Sequence, residues 1–538
     1  MSKPDTDQIL RNGLLPDNLP PFLTTEQIAD HFIFENSYQI DRKSIARPAA
    51  FNGSKRGFQR REFLVPHPSF VFDAALFYEK HWDDIRAHLD SSQGSVSTPS
   101  FETTTTRSLR FTPHSRLPEI RLSKLAKYRY CVVTDVSRCY PSIYTHSFPW
   151  ALHGKNAAKN DRRIDSKAVY GNRLDFIFRQ AQDGQTVGIP VGPDISRIAG
   201  EIILTAIDNK YSEGQPLDGY IRHVDDFWIG GDSLQDCEDK LHRLRKALNF
   251  YSLDANEQKT KIVPTSSIIG EVWPYEIEWQ LEVALQDDID ERHDARIVSL
   301  LGSLVEYSTR NGDEGVIRFF IRKIDAWRKW DEHWDILEPF LAHCAVQFPH
   351  AFDYVARVVS WRVRRGMSVD SRLWRKVNAD TIRSAAPLSR DSEVIWGLWL
   401  SKELDQRISK PTFDLIFENN GPLVLAVLAH FVKHNRINGK PSLEEFWSHV
   451  EDDGVAGAQW PLALELNHLG IQRPGEVQMF NHASLSSIFD AGLSMVDLEQ
   501  PPSAFEDLDS IPDEALEGVG WGYEEDEEDI ILPEEMYH

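Results

Sequence analysis

The sequence feature that most constrains the fold is the run at 221–231, which reads IRHVDDFWIGG. Two adjacent carboxylates, Asp225 and Asp226, lie between apolar stretches, and a glycine pair ends the run. This pattern predicts two strands joined by a tight turn, with the acids at its tip. Neighbouring aspartates repel each other, and a divalent cation such as Mg²⁺ supplies the missing charge because it prefers carboxylate oxygens. Taken alone, the run fits an ordinary polar hairpin tip equally well.

Three further segments accompany this hairpin along the chain. Residues 128–135 (YRYCVVTD) predict an apolar strand that ends on a single carboxylate, Asp135. Residues 188–196 (GIPVGPDIS) form a rigid Gly/Pro loop, and the apolar residues after it recur at helical spacing, with Asp194 or Ser196 able to cap the helix. Residues 256–260 (NEQKT) follow the hairpin and contain Lys259.

In this order and at these separations, the four segments resemble the palm of reverse transcriptases over about residues 10–275. The resemblance implies an α+β, right-hand polymerase fold with fingers and palm. It also implies two Mg²⁺ ions, for which Mn²⁺ can substitute, with Asp135, Asp225 and the Val136 carbonyl as ligands. Asp226 is then a supporting acid. Lys259 matches the lysine that protonates or screens the departing pyrophosphate.

The resemblance further implies a set of nucleotide-binding residues. Tyr140 lies five residues after Asp135, where the family keeps an aromatic gate that excludes a 2′-hydroxyl; a core tyrosine beside Pro141 is the other interpretation. The loop under the nascent base pair is expected to be shaped by Gly188, Pro190, Gly192 and Ser196. In the fingers, Arg60 and Arg61 are the candidates for contact with the triphosphate. Two positions depart from the family pattern, because Val191 replaces a frequent Gln and His223 replaces the Tyr before the aspartate pair.

The charge distribution favours a nucleic-acid partner despite a net charge of −24. Sixteen carboxylates and no Lys or Arg lie in 497–538, so much of that charge belongs to one terminal segment. By contrast, 42–61 has seven basic residues and no acidic one, and 101–180 has fifteen basic residues against six acidic ones. A basic face within an acidic protein is typical of proteins that contact a phosphate backbone, although a solvated surface explains the shorter run alone.

Length and composition indicate several domains in a soluble protein. A chain of 538 residues exceeds the size that one core serves. We expect fingers and palm at 1–275, an all-α domain of HEAT-like helical repeats at 276–495 and an acidic, disordered tail at 496–538. Residues 91–106, rich in Ser and Thr, are predicted to form a loop or a mobile insertion. Four scattered cysteines and the lack of a membrane-length apolar run predict a cytoplasmic location and no membrane partner, and the resemblance described next implies that the cytoplasm is bacterial.

Among reverse transcriptases, the chain resembles the bacterial enzymes associated with abortive infection and defence. The resemblance rests on Val191, on the LPDNLPP run at 15–21 and on the helical second half. It implies antiphage DNA synthesis from dNTPs, with RNA and/or DNA as partner, either with a dedicated non-coding RNA or without a template. It also implies homo-oligomers formed through the helical domain. The alternatives are a retron-like enzyme that copies a specific RNA and a catalytically silent nucleic-acid-binding scaffold.

The origin of the primer stays open at the level of sequence. Some defence-type relatives start synthesis on a tyrosine of the protein itself, and a phenolic oxygen serves as the attacking group if it is mobile. The candidates are Tyr38, Tyr523 and Tyr537, which lie in polar segments. Because most tyrosines only pack or donate a hydrogen bond, an RNA or DNA 3′ end is an equally valid expectation.

Overall fold

The computed structural model describes residues 3–16, 18–34, 43–57, 59–101, 107–112, 116–213, 215–268, 273–285, 293–312, 314–450, 454–473 and 485–501. The first half contains α1 (Thr6–Asn12), α2 (Glu26–Phe34), β1 (Ala49–Ser54), β2 (Arg60–Val65), α3 (Pro68–Leu89), α4 (Leu117–Leu125), β3 (Tyr130–Asp135), α5 (Cys139–Ser142), α6 (Ser147–His153), α7 (Lys155–Asn160), α8 (Gly171–Gln180), α9 (Asp194–Ser212), β4 (Tyr220–His223), β5 (Asp226–Gly231), α10 (Leu234–Phe250) and β6 (Lys261–Pro264).

The second half is helical throughout the part that the structure describes. It contains α11 (Trp273–Ala284), α12 (His293–Asn311), α13 (Gly315–Ala326), α14 (Trp334–Gln347), α15 (Phe352–Arg364), α16 (Ser371–Ala385), α17 (Asp391–Glu403), α18 (Lys410–Asn419), α19 (Pro422–Lys433), α20 (Trp460–His468) and α21 (Ser487–Asp490). Short 3₁₀ turns link several of these helices, and the predicted helical run around 446–450 is such a turn, Glu444–His449.

The palm is an antiparallel sheet in the order β4-β5-β3-β6. Alternate residues of β3 serve two different cores, as the two-residue period of a strand requires. Val132 belongs to the main core with α9 and α10, whereas Cys131 faces a second cluster that includes Trp228 and Leu117 of α4. The sheet is therefore covered on one face by α10 and on the other by α4. This confirms the predicted strands and hairpin.

The helix after the Gly/Pro loop also forms as predicted, but it begins differently. Ile198, Ile202 and Ile203 are buried on α9, as their spacing requires. The N-cap is Pro193, and no side chain caps the helix. The predicted capping by Asp194 or Ser196 is therefore wrong, because α9 begins at Asp194 and the Asp194 carboxylate instead accepts a hydrogen bond from Arg107 Nη2 at 2.7 Å.

The helical half contains the helices that the apolar spacing predicts, arranged in packed neighbours such as α12 with α13 and α19 with α20. Its tryptophans belong to the core. Trp330, Trp334 and Trp374 are buried, and Trp327 and Trp361 pack partly buried against them. These rings are therefore core residues rather than base-stacking platforms. The regular HEAT-like period stays a prediction.

The two halves of the chain share one core and an extended interface. The β1–β2 hairpin, in the fingers position, packs on α17 and α19. Arg60 Nη1 donates to Glu393 Oε1 at 2.6 Å, and the backbone N–H of Asn52 donates to Asp391 Oδ2 at 3.0 Å. The boundary expected at residue 275 stays a prediction, since apolar contacts continue across it.

The chain returns to its start near the C-terminal end of the described residues. Leu23 and Val496 form an antiparallel bridge, and Asp497 N donates to the Phe22 carbonyl at 2.8 Å. Leu498 is buried. Val496 and Asp497 are therefore bonded to the start of the chain, and the acidic, disordered tail expected at 496–538 stays a prediction. The remainder of the acidic segment, 502–538, lies outside the described residues.

Two further findings bear on the sequence expectations. All four cysteines are buried free thiols, and burial raises the pKa of the Cys131 thiol to about 12. A thiol held in this way is neutral at physiological pH and is a poor metal ligand or nucleophile. Within the described ranges, no helix has both the length and the apolar character needed to span a membrane.

The Arg60–Glu393 pair provides a test of the interface between the halves. Glu393 is only 3% exposed, so Arg60→Ala leaves a buried carboxylate without its partner. We expect a loss of about 3 kcal/mol in the free energy of unfolding, measured by urea denaturation. Lys410→Ala breaks an exposed pair within α18 and is the matched control, with an expected loss of about 0.5 kcal/mol or less. Equal losses in the two variants would contradict a stabilising role for Arg60.

Candidate active site

The register of the palm sheet brings the predicted carboxylates together. In the pairing of β3 with β5, Asp135 lies directly opposite Asp226, and in the pairing of β4 with β5, His223 lies opposite the same residue. Directly opposed residues of antiparallel strands project from the same face of the sheet. Asp225 belongs to the turn between β4 and β5, and its carbonyl accepts a hydrogen bond from Val136 N at 3.2 Å.

The turn that carries Lys259 is attached to the same point of the sheet. Asn256 N donates to the Asp135 carbonyl, and Ser137 N donates to the Asp254 carbonyl, each at 2.9 Å. The carbonyl of Val136, expected as a metal ligand, is used by neither of these bonds. The end of β3 is thus held by main-chain hydrogen bonds from the aspartate hairpin on one side and from the lysine turn on the other.

Lys259 and Asp135 form a charged pair at this point. Lys259 Nζ donates to Asp135 Oδ2 at 2.7 Å. Partial burial lowers the pKa of Lys259, but the hydrogen bond that Lys259 donates to Asp135 and the charges of Asp135, Asp226 and Asp225 outweigh that effect and raise the pKa overall. The ammonium therefore stays protonated at neutral pH. It brings one positive charge to a group of three carboxylates.

The burial and hydrogen bonding of the Asp135 carboxylate are those expected of a cation ligand. Asp135 is 7% exposed, and its Oδ1 has no hydrogen-bond partner among the described residues. A buried carboxylate oxygen without a partner is costly, and a divalent cation satisfies it. No group of three His, Cys, Asp or Glu side chains in the described ranges forms a self-sufficient metal site. The residues fit a metal that takes two carboxylates and shares its other ligands with substrate phosphates, as Mg²⁺ does.

Tyr140 follows Asp135 by five residues and is half-buried. A Cβ built on Gly200 of α9 would approach the Tyr140 ring to 3.3 Å, so the ring lies against the bare backbone of that glycine. The backbone carbonyl of Tyr140 accepts a hydrogen bond from Ile189 N at 2.9 Å, which connects it to the Gly/Pro loop. Both interpretations of this ring, gate and core residue, stay open.

The Gly/Pro loop is held in place on both sides. Gly188 and Gly192 have φ values of +91° and +119°, which favour glycine, and a Cβ at Gly192 would meet Pro16 and Phe63. Leu64 N of β2 donates to the Val191 carbonyl at 2.9 Å. Pro190 is buried, as is Ser196, whose hydroxyl has no exposed surface. The contribution expected of Ser196 is therefore confined to the shape of the loop.

The fingers arginines are placed differently from each other. Besides its bond to Glu393, Arg60 donates from Nε to Asn52 Oδ1 at 2.8 Å and from Nη2 to the Asn52 carbonyl at 2.7 Å. These bonds commit its guanidinium to the interface between the halves, which argues against its expected contact with a triphosphate. Arg61 lies with its guanidinium 5.8 Å from the centroid of the Phe63 ring. The candidate priming residues Tyr38, Tyr523 and Tyr537 lie outside the described residues.

Sequence reasoning missed a buried ion cluster directly behind the aspartate turn. Arg222 of β4 is fully buried and pairs with Glu201 and Asp208 of α9 at 2.9 Å each. Burial raises the pKa of Glu201, although Arg222 opposes this effect. A sequence signal did exist, because an arginine inside an apolar strand and two acids seven residues apart on an apolar helix need partners.

His223, which replaces the family's tyrosine, is also buried. Its Nε2 lies 2.8 Å from the Thr112 carbonyl, within hydrogen-bond distance. The imidazole thus connects the hairpin to the segment before α4 rather than standing in the cleft as an exposed ring. No sequence pattern indicated this contact, because His223 and Thr112 are more than a hundred positions apart.

Comparison with known proteins agrees with this geometry. Residues 83–283 match the family model for "Reverse transcriptase (RNA-dependent DNA polymerase)". The chain thus carries a reverse-transcriptase domain with a reverse-transcriptase-like fold, which supports RNA-directed DNA polymerase activity. No curated protein matches the chain.

Two solved structures are similar to the chain at low identity. One is telomerase from Candida albicans in complex with a TWJ fragment of telomeric RNA, with 13% identity, 69% of this chain and 68% of that chain covered, and a TM-score of 0.27. The other is telomerase from Candida tropicalis in complex with a TWJ fragment of telomeric RNA, with 12% identity, 76% and 66% covered, and a TM-score of 0.27. Likeness at this level carries no argument about substrate or partner.

The fit of the carboxylates to a divalent cation is testable without any assay of activity. We expect Asp135→Asn and Asp225→Asn each to weaken Mn²⁺ binding at least about tenfold, measured by electron paramagnetic resonance of the free ion. Asp254→Asn serves as the matched control. It changes an exposed aspartate four residues before Gln258, in the turn that carries Lys259. Unchanged Mn²⁺ affinity in both active-site variants would show that these carboxylates hold no metal.

Proposed function

We propose that this chain is a DNA polymerase of reverse-transcriptase type that adds deoxynucleotides at the Asp135–Asp225 site and acts in antiphage defence. The observation that carries the proposal is the convergence at the end of β3. There Asp135 faces Asp226 across the sheet, the Asp225 carbonyl is bonded to Val136, and one oxygen of Asp135 has no partner among the described residues. Like charges placed opposite each other destabilise a sheet unless a cation is shared between them.

Asp135, Asp225 and the Val136 carbonyl would hold two Mg²⁺ ions. Bound Mg²⁺ supplies positive charge for the phosphate oxygens and lowers the pKa of a coordinated hydroxyl. Asp226 adds negative charge next to these ligands. It is the first residue of β5 and is paired with Asp135 of β3, which fixes its position. Lys259, held protonated by Asp135, is placed to donate a proton to the departing pyrophosphate or to screen its charge.

Tyr140 is proposed as the residue that selects the sugar. Its ring is half-buried and cannot move toward α9, because it already lies against the Gly200 backbone. Its main chain is tied to the Gly/Pro loop through Ile189. A ring confined from behind in this way presents a fixed edge, which is what steric exclusion of a 2′-hydroxyl requires.

The substrate class and partners extend the proposal. dNTPs are the substrates, and RNA and/or DNA is the partner, supported by the basic runs at 42–61 and 101–180. Arg60 is an exception within the first run, since Glu393 and Asn52 use its guanidinium. A dedicated non-coding RNA, priming on a tyrosine, and homo-oligomers built through a HEAT-like helical half belong to the proposal through the resemblance to defence-associated reverse transcriptases.

The proposal is tested by removing the carboxylates. Asp135→Ala or Asp225→Ala should abolish incorporation of labelled deoxynucleotide, by at least about a thousandfold, and should abolish protection of bacteria in a phage plaque assay. The physical reason is that each substitution removes a ligand of the proposed ions. Circular dichroism and thermal unfolding verify that each variant is folded.

Asp254→Ala is the control, since its exposed side chain is near the site but outside the proposed ligand set. Full incorporation by Asp225→Ala at saturating Mg²⁺ would overturn the polymerase assignment. Incorporation that is lost while phage protection persists would instead support the alternative of a silent nucleic-acid-binding scaffold.

The sugar selection has its own test. Tyr140→Ala should reduce the preference for dNTP over rNTP at least about tenfold, measured as the ratio of kcat/KM values for paired nucleotides, because it removes the bulk opposed to the 2′-hydroxyl. Tyr140→Phe keeps the ring and should keep the preference. If Tyr140→Ala discriminates as well as the unmodified protein, Tyr140 is a core residue only.

A further inference from the structure

We infer that Ser97 is a positioning residue for the catalytic turn, holding Asp225 in place through the backbone of Val224. The inference rests on the proposed function of Asp225. It concerns a segment, 94–97, that sequence analysis expected to be a loop or a mobile insertion.

The turn between β4 and β5 has an unfavourable backbone. Val224 has a φ of +49°, in the left-handed region. This region is rare for any residue with a Cβ, and a β-branched side chain there is an outlier. Val224 is 2% exposed, so its side chain is confined by packing rather than free in solvent. Such a conformation persists only where the surroundings impose it.

Two buried hydrogen bonds impose it here. Val224 N donates to Ser97 Oγ at 2.8 Å, and Arg222 Nη1 donates to the Val224 carbonyl at 2.9 Å. The peptide groups on both sides of the Val224 Cα are therefore held, and these two groups define its φ and ψ. Asp225 follows directly, so the direction of its carboxylate depends on the same two bonds.

The hydroxyl of Ser97 is itself fixed in direction. Ser97 is fully buried, and its Oγ donates to Glu201 Oε1 at 3.0 Å while it accepts from Val224 N. Glu201 is in turn held by Arg222 at 2.9 and 3.1 Å. Ser97, Glu201 and Arg222 therefore form a closed ring of bonds around the turn, and removal of the Ser97 hydroxyl leaves the Val224 N–H buried without its acceptor.

Main-chain hydrogen bonds to β4 fix the backbone of the segment that carries Ser97. Arg222 N donates to the Gly94 carbonyl at 2.9 Å, and Val96 N donates to the Arg222 carbonyl at 2.8 Å, so that the segment runs parallel to β4. The expectation of a mobile insertion is wrong for 91–101, because this segment covers the free edge of the palm sheet. Residues 102–106 lie outside the described residues.

A matched pair of substitutions tests the inference. Ser97→Ala should lower kcat for deoxynucleotide incorporation at least about tenfold while KM for dNTP changes less than about twofold, because a small displacement of a reacting group lowers rate more than binding. Mn²⁺ affinity should weaken in parallel. Ser494→Ala is the control. Its buried hydroxyl also donates to a glutamate, Glu465 Oε2 at 2.6 Å, and accepts from a main-chain N–H, that of Val496 at 3.0 Å, but it lies in the helical half. Its kcat should stay within about twofold of the unmodified protein.

A second substitution separates positioning from general stability. Val224→Gly, added to Ser97→Ala, should recover most of the lost kcat, because glycine adopts a positive φ without strain and needs no external hold. If Ser97→Ala and Ser494→Ala lower kcat equally, or if Val224→Gly restores nothing, the positioning role is wrong. If the unmodified protein incorporates no nucleotide, the proposed function fails, and Mn²⁺ binding by the same variants decides the role of Ser97 independently.

Discussion

The buried ion cluster of Arg222 with Glu201 and Asp208 is the interaction on which the geometry of the site depends. Taking three charged groups out of water is costly, and only a complete set of hydrogen bonds offsets that cost. The guanidinium fork meets two carboxylates of α9 and a backbone carbonyl of the catalytic turn at once. The sheet and the helix behind it are thereby locked in one relative position, and a shift of either leaves a buried charge unpaired.

A series of contacts connects this ion cluster to the helical half. The catalytic hairpin pairs with β3, Tyr140 after β3 bonds the Gly/Pro loop, and that loop bonds β2 through Val191 and Leu64. β2 then carries Arg60 to Glu393 of α17. The helical half is consequently part of the support of the proposed nucleotide site rather than an appendage.

The sequence predicted the parts of the site that follow from local patterns. Apolar runs next to the acids predicted β3 and the hairpin, and the resemblance to reverse transcriptases predicted that Asp135 and Asp225 meet in one site. The sequence did not predict the partners of Arg60 or of His223, nor the edge position of 94–97. Those contacts join residues more than a hundred positions apart, or depend on main-chain hydrogen bonds that a polar segment offers regardless of its side chains.

The electrostatic balance of the site argues for a cation in its working state. The charges of three carboxylates, those of Asp135, Asp225 and Asp226, act on the Lys259 ammonium, and the proposed substrate is itself polyanionic. Coulomb repulsion between partly buried charges is screened less than in water, so the protein's own residues oppose nucleotide binding at this point. Lys259 neutralises one charge and stays protonated, but its contact is with one oxygen of Asp135 alone. Divalent cations held by Asp135 and Asp225 would offset these charges and so favour binding of the proposed nucleotide.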